Sequence, residues 1–279
     1  MEQSTIEKLL GAATVKRDLL NEQPNHYMVR AMLAGMYVGM AVVMAFRLAQ
    51  PFYEAASPAT YFINAIFFGV AFCLILYGKT ELFTSNTMYM VVGAMKKKTN
   101  WMDTLRVWGA CYLGNLVGIL FFTGLIIMTG LFATMDPTES YLITAAEKKM
   151  NLPYSEMFFR AILANWLVCL AVWIPLQVKD DMSKIVLMIL FVFTFFISGY
   201  EHSIANMALF SIALTAPHTA LVTVQAAVEN VLIVTLGNIV GGAFFVGVLY
   251  TYLNSVKKEK ELTAKSSANA SAPKAALEK

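Results

Sequence analysis

Two apolar runs in this chain stop too soon. Residues 62–77 and 185–198 are each shorter than the ~20 residues a helix needs to cross the hydrocarbon core of a bilayer. The first runs into Gly78-Lys79-Thr80-Glu81-Leu82-Phe83-Thr84-Ser85-Asn86. The second runs into Gly199-Tyr200-Glu201-His202-Ser203-Ile204-Ala205-Asn206-Met207. Beyond both, apolar sequence resumes. Neither a surface loop nor an uninterrupted transmembrane helix gives that pattern, but a helix broken inside a membrane does. Backbone that is not helical at that depth must be buried in protein or line a cavity, because lipid cannot satisfy its hydrogen bonds.

Composition agrees with a membrane setting. The 279 residues are 58% hydrophobic and only 14% charged, whereas a soluble domain is about half apolar and about a quarter charged. Four longer apolar segments, near 28–48, 105–132, 156–176 and 228–253, join the two short ones to make six. A net charge of +3, with no basic patch carrying interleaved aromatics, argues against a nucleic-acid partner. Cys73, Cys111 and Cys169 lie far apart inside apolar spans without metal-ligand spacing, so they read as small buried hydrophobes. No metal or cofactor is expected.

Residues 5–22 place Ile6, Leu9, Leu10, Ala13 and Leu20 near one helical face, with Lys16 and Arg17 among the charges between them. This predicts an amphipathic helix against the membrane or a neighbouring subunit, ended by Pro24; a core-facing helix would show the same pattern. The expected division is an N-terminal helical segment at 1–27, a pore domain at 28–254 and a largely disordered tail at 255–279. Lysines at 96–98, 179, 184 and 257–258, against loops at 50–60 and 215–224 without any, put both termini in the cytoplasm. Lys148 and Lys149 are then an exception on the outer side.

An internal repeat fixes the architecture. Arg30-Ala31-Met32-Leu33-Ala34 recurs as Arg160-Ala161-Ile162-Leu163-Ala164, and seven of the thirteen positions from Arg30 to Val42 match at one constant offset. Glu81 and Asn86 map onto Glu201 and Asn206. Leu113-Gly114-Asn115-Leu116-Val117-Gly118 recurs as Leu236-Gly237-Asn238-Ile239-Val240-Gly241. The repeats cover about 28–132 and 156–254. Three spans per half is odd, so the halves enter the membrane from opposite sides. The predicted fold is an all-α polytopic membrane protein of six helices in two inverted three-helix repeats, with helices 2 and 5 broken and brought together near the midplane.

Glu201 and His202 are costly at that depth, ~2.5–3.5 kcal/mol for a charge on insertion scales. His202 is the functional candidate, because histidine both donates hydrogen bonds and titrates near neutral pH. Glu201, with its repeat mate Glu81, is expected to brace the broken backbone. Asn165, Asn206 and Asn238 read first as inter-helix hydrogen bonding, with orientation of His202 or contact with a permeant as the alternative. Thr84 and Ser85 offer donors in the first break, and Lys149 suits a collector of anions at a mouth. Phe67, Phe68, Phe72, Phe193, Phe195 and Phe196 include candidates for apolar constrictions.

These residues together resemble the formate/nitrite transporter family. The resemblance rests on Glu81-Leu82-Phe83-Thr84, Asn165-Trp166-Leu167-Val168-Cys169-Leu170, the stretch from Gly199 to Met207 and Leu236-Gly237-Asn238. It implies a homopentamer of aquaporin-like protomers in a prokaryotic cell membrane, each with its own pore. The implied permeants are small monovalent anions (nitrite, formate, acetate, lactate or hydrosulfide), with possible proton coupling. By the same resemblance His202 is the central pore histidine, and Thr84, Lys149 and Asn238 line the pathway. The implied outer constriction is Phe68, Phe72 and Phe195, and the inner one Leu82, Phe83 and Val168. Phe72 stands where the formate-channel pattern has leucine. Thr84 to Met88, Asn165-Trp166, Met207 to Phe210 and Arg160 are closer to the nitrite branch. An enzyme is not expected: His26 and His218 lie outside the apolar spans, which leaves His202 without the partner that a haem-bearing oxidoreductase requires. The paired Asn-Pro-Ala motifs of a neutral-solute channel are absent.

Overall fold

The computed structural model describes residues 2–255, and every regular element among them is helical. In chain order these are α1 (Glu2–Glu22), α2 (Pro24–Glu54), α3 (Thr60–Phe68), α4 (Val70–Tyr77), α5 (Phe83–Met95), α6 (Trp101–Met128), α7 (Tyr141–Met150), α8 (Tyr154–Trp173), α9 (Asp181–Ile197), α10 (Ser203–Thr215) and α11 (Val224–Ile239). A 3₁₀ turn, Pro175–Gln177, follows α8, and a π-helical stretch, Val240–Val248, continues α11. Apart from Ser255, the tail expected at 255–279 lies outside the described residues.

Local chemistry sets the helix ends. Asn100 and Asp103 form a capping box at the start of α6: Asp103 N–H donates to Asn100 Oδ1 at 2.8 Å and Asn100 N–H to Asp103 Oδ2 at 3.0 Å. Such caps stabilise by about 1 kcal/mol. Asp180 accepts from Ser183 N–H at 2.7 Å before α9, and Thr223 from Ala226 N–H at 3.1 Å before α11. Pro24 sits in the first turn of α2, where its missing N–H is not needed.

Among the described residues, five helical segments are long and apolar enough to cross a membrane: Pro24–Glu54, Thr60–Tyr77 (α3 and α4 together), Trp101–Met128, Tyr154–Gln177 and Val224–Ser255. The sixth expected span is α9. Its 17 residues rise about 26 Å, short of a hydrocarbon core of about 30 Å, and its first turn carries Asp181 and Lys184. The expectation that both runs fall short therefore holds for α9 alone, since α3 and α4 together reach spanning length; α4 and α9 are nonetheless each followed by a break and a 13-residue helix, α5 and α10.

The long helices pair closely. α2 runs along α6 and α8 along α11, with glycine at the contacts. A methyl group at Gly118 would lie 2.0 Å from Met32 O, and one at Gly241 2.3 Å from Ile162 O. These pairs are related by the sequence repeat, so the same tight packing is built twice. Small residues at such crossings let backbones approach where lipid gives no hydrophobic drive between helices.

α1 departs from the expected membrane or subunit contact and faces the core. Its apolar stripe is covered by its own chain: Ile6, Leu9 and Ala13 are buried in the main core, and the helix packs against α5 and α2. A Cβ at Gly93 of α5 would sit 2.9 Å from Ala13 Cβ, which marks how close the helices are. Burying this stripe within the protomer removes it from water without help from lipid or a neighbour.

Candidate functional site

The two breaks are anchored by one arrangement used twice. In the first, Asn115 of α6 accepts from Phe83 N–H at 3.0 Å and donates to Ala31 O and Glu81 O, both at 2.8 Å. In the second, Asn238 of α11 accepts from Ser203 N–H at 2.8 Å and donates to Ala161 O at 2.8 Å and Glu201 O at 3.0 Å. Glu81 N–H reaches Arg30 O, and Glu201 N–H reaches Arg160 O. Backbone groups orphaned by the breaks therefore find partners on neighbouring helices. Both preceding helices end on a left-handed residue, Lys79 (φ 52°) and Gly199 (φ 70°). Glycine adopts that conformation without the steric cost that Lys79 bears.

Each break also holds a buried carboxylate. Lys16 Nζ of α1 lies 2.6 Å from Glu81 Oε2, which also accepts from Asn86 Nδ2 at 3.0 Å. Lys149 Nζ of α7 lies 2.8 Å from Glu201 Oε1, and Asn206 Nδ2 donates to Glu201 Oε2 at 2.6 Å. Asn230 accepts from Asn206 at 2.9 Å and donates to Lys149 O at 2.7 Å, which ties α7 to the site. At 2.8 Å and an effective dielectric of ~20, the gross attraction is about 6 kcal/mol, set against the cost of desolvating both ions. Lys149 thus stands on a helix, committed to Glu201, and is not a solvated loop lysine.

His202 is the N-cap of α10. Its Nδ1 accepts from Ala205 N–H at 3.1 Å, and its Nε2 lies 2.9 Å from Thr84 Oγ1 across the junction of the two breaks. With Nδ1 accepting, the neutral ring carries its proton on Nε2, facing Thr84. Phe195 stacks on the imidazole at 5.8 Å. Asn165 of α8 holds the other side: the two N–H groups of its Nδ2 are shared among three acceptors, Thr84 O at 3.1 Å, Thr87 Oγ1 at 3.0 Å and Asn238 O at 2.6 Å. Only glycine at 242 lets the π-helical stretch come this close, since a Cβ there would lie 2.0 Å from Thr87 Oγ1. Asn165 and Asn238 are therefore positioning residues for Thr84 and for the backbone either side of His202.

Cavities run up to His202, whereas Thr84, behind it, lines none of them. A vestibule of about 1210 Å³ is lined by Lys148, Lys149 and Arg160 and by Glu54, Glu139 and Glu201. Three basic and three acidic side chains make it no cationic funnel, so any pull on an anion is local to Lys148, Lys149 and Arg160. A smaller chamber of about 40 Å³ shares Tyr61, Tyr141 and Lys149 with the vestibule and reaches Phe68, Phe195 and His202. A third, of about 20 Å³, lies beyond Phe68 and Phe195 and is lined by apolar residues and His202. Phe68 and Phe195 meet edge to face at 6.3 Å and border both chambers. Phe72 lines only the third chamber, together with Leu82 and Val168. Phe83 lines none of these cavities; its ring packs on Tyr112 at 4.9 Å and Trp108 at 6.4 Å.

Lys16, Asn115, Asn230 and Asn64 were not picked out from the sequence as site residues. The repeat itself held the signal for two of them. A buried Glu81 matching Glu201 requires its own cation, and Asn115 is the mate of Asn238.

The sequence model of the formate/nitrite transporter family matches residues 3–252. An uncharacterized transporter of Bacillus subtilis (strain 168), YwcJ, is 43% identical over 91% of this chain and 99% of its own length. The nitrite transporter NirC of Escherichia coli (strain K12) is 32% identical over 89% of this chain and 91% of its own. Among solved structures, an FNT family ion channel superposes with a TM-score of 0.85 at 31% identity, over 90% of this chain and 99% of that one. A pentameric formate channel with formate bound gives a TM-score of 0.69 at 27% identity, over 82% and 97%. The chain is a multi-pass membrane protein that belongs to the formate/nitrite transporter family.

Proposed function

We propose that this protein passes small monovalent anions, nitrite in preference to formate, through the chambers that meet at His202, and that the permeant crosses the apolar stretch as its neutral acid. The observation that carries this reading is His202, which lines both chambers and lies 2.9 Å from Thr84 Oγ1 where the broken helices abut. Beyond Phe68 and Phe195 the lining has no charged side chain. An ion stripped of water there costs several kcal/mol after relaxation. Neutralising an acid with a pKa of ~3.5 at pH 7 costs about 5 kcal/mol, so protonation is the cheaper or comparable route. The anion gathers beside Lys149, takes a proton from vestibule water and passes Phe68 and Phe195. It then receives a hydrogen bond from His202 Nε2 or Thr84 Oγ1 in exchange for the one those groups make to each other. His202 acts as a neutral donor, because its Nδ1 is engaged by Ala205 N–H.

The architecture proposed with it is six membrane segments in two inverted three-helix repeats, 28–132 and 156–254. α9 is the short member, and both termini lie in the cytoplasm of a prokaryotic cell. The twofold recurrence of the asparagine anchors and glycine contacts supports the repeat. A homopentamer is supported by the likeness to the pentameric formate channel and by exposed apolar side chains such as Leu113, Leu120, Phe121, Leu232 and Leu236. Proteoliposome flux of nitrite, formate and hydrosulfide tests the reading. Nitrite is expected to move fastest. Formate moving faster, or no flux above protein-free vesicles, overturns it.

A further inference from the structure

One side chain in the chamber beside His202 has nothing to bind. Asn64 of α3 is 1% exposed, and neither its Oδ1 nor its Nδ2 has a hydrogen-bond partner. It is the one described residue with two such buried orphan atoms. It lines the chamber of about 40 Å³ with Lys149, His202, Phe68 and Phe195. The other key polar groups of that wall are engaged: Lys149 Nζ on Glu201, and both ring nitrogens of His202 on Ala205 and Thr84. A buried carboxamide without partners destabilises a fold, so its presence calls for a reason other than stability. The chamber has room for more than one water-sized probe, enough for a triatomic solute.

We propose that Asn64 is a specificity-determining permeant contact, which pairs with the neutral form of a small planar oxyacid through two reciprocal hydrogen bonds. This inference rests on the reading that such acids cross here. A carboxamide has a donor and an acceptor side by side. So does a protonated acid of the type O=X–OH: its O–H donates to Asn64 Oδ1, and its X=O accepts from Asn64 Nδ2. The anion has lost the donor and can satisfy only one side of the amide. Hydrogen sulfide has no second heavy atom and cannot bridge the two sides. Asn64 therefore favours the protonated oxyacid just before Phe68 and Phe195, where the charge must already be gone. In the third chamber no amide is present among the lining residues, so the acid is released into an apolar space that holds it weakly.

The test compares Asn64→Leu and Asn64→Ala with wild type in proteoliposomes, with nitrite, formate and hydrosulfide as probes and detergent melting as the readout of folding. Loss of one or two neutral hydrogen bonds is expected to lower nitrite and formate flux about tenfold, with hydrosulfide flux within about twofold of wild type and melting unchanged or raised. Asn64→Ala keeps the test open if the larger leucine does not fold. An unchanged ratio of nitrite to hydrosulfide flux in a folded variant overturns the inference. Absence of any oxyacid flux in wild type overturns the underlying reading instead, so the two failures are told apart.

Discussion

Replacing Lys149 with methionine removes the cation 2.8 Å from Glu201 Oε1. The carboxylate left behind has a side-chain exposure of 2% and keeps only the Asn206 amide, at 2.6 Å. Breaking a buried ion pair from one side costs about 3–5 kcal/mol. The lower end applies here, because Lys149 is 22% exposed and water can follow it in. The expected loss is therefore about 3 kcal/mol, read as a drop of several degrees in thermal melting in detergent. Lys149→Met/Glu201→Gln removes both charges and leaves an amide oxygen for Asn206. It is expected to recover more than half of that stability, the signature of direct coupling between the two sites. Anion flux is expected to stay low in both variants, since neither has the lysine at the chamber entrance. A single variant that melts like wild type, or a double variant no better than the single, would refute the pairing. A double variant with wild-type flux would refute the role of Lys149 in drawing the anion.

Other perturbations separate scaffold from pathway. Thr84→Val keeps the shape but removes the hydroxyl 2.9 Å from His202 Nε2; about 1 kcal/mol corresponds to a flux loss of about fivefold, and Thr84→Ser should restore most of it. Asn115→Ala and Asn238→Ala each delete three buried hydrogen bonds of the same kind. Their stability losses should match within about 1 kcal/mol, at about 2–4 kcal/mol each, as compared by melting. Gly241→Leu places side-chain atoms where even a Cβ would lie 2.3 Å from Ile162 O, so no folded protein should be recovered by size-exclusion chromatography.

Much of this layout was legible in the sequence because the bilayer leaves few options. Apolar length locates the spans, and the glycine-plus-polar stretches that interrupt two of the apolar runs locate the breaks. The repeat then pairs Glu81 with Glu201 and Asn115 with Asn238. What stayed hidden depends on side-chain direction. Lys16 belongs to a helix whose own pattern fits the membrane surface equally well; only packing against α5 brings it to Glu81. The helix that carries Lys149 has no apolar span to announce it, because α7 is short and begins after polar, turn-like sequence. Phe83 follows Leu82 directly, yet the start of α5 turns its ring toward Tyr112 and Trp108 and away from the cavities. Asn64 sits in an ordinary apolar stretch, where an amide most often finds a partner across a helix contact. Its lack of one is a property of the packed structure alone.

The most direct test of neutral-acid passage is to follow anion and proton together in liposomes that hold a pH-sensitive dye. An inward nitrite gradient, imposed without any ionophore to dissipate membrane potential, is expected to acidify the interior one proton per anion at a rate above that of protein-free vesicles. At fixed total nitrite, that rate should rise about tenfold for each unit of acidification, as the neutral fraction does. Nitrite entry that leaves the interior pH unchanged and proceeds only when a counter-ion pathway relieves the potential would contradict passage as the neutral acid.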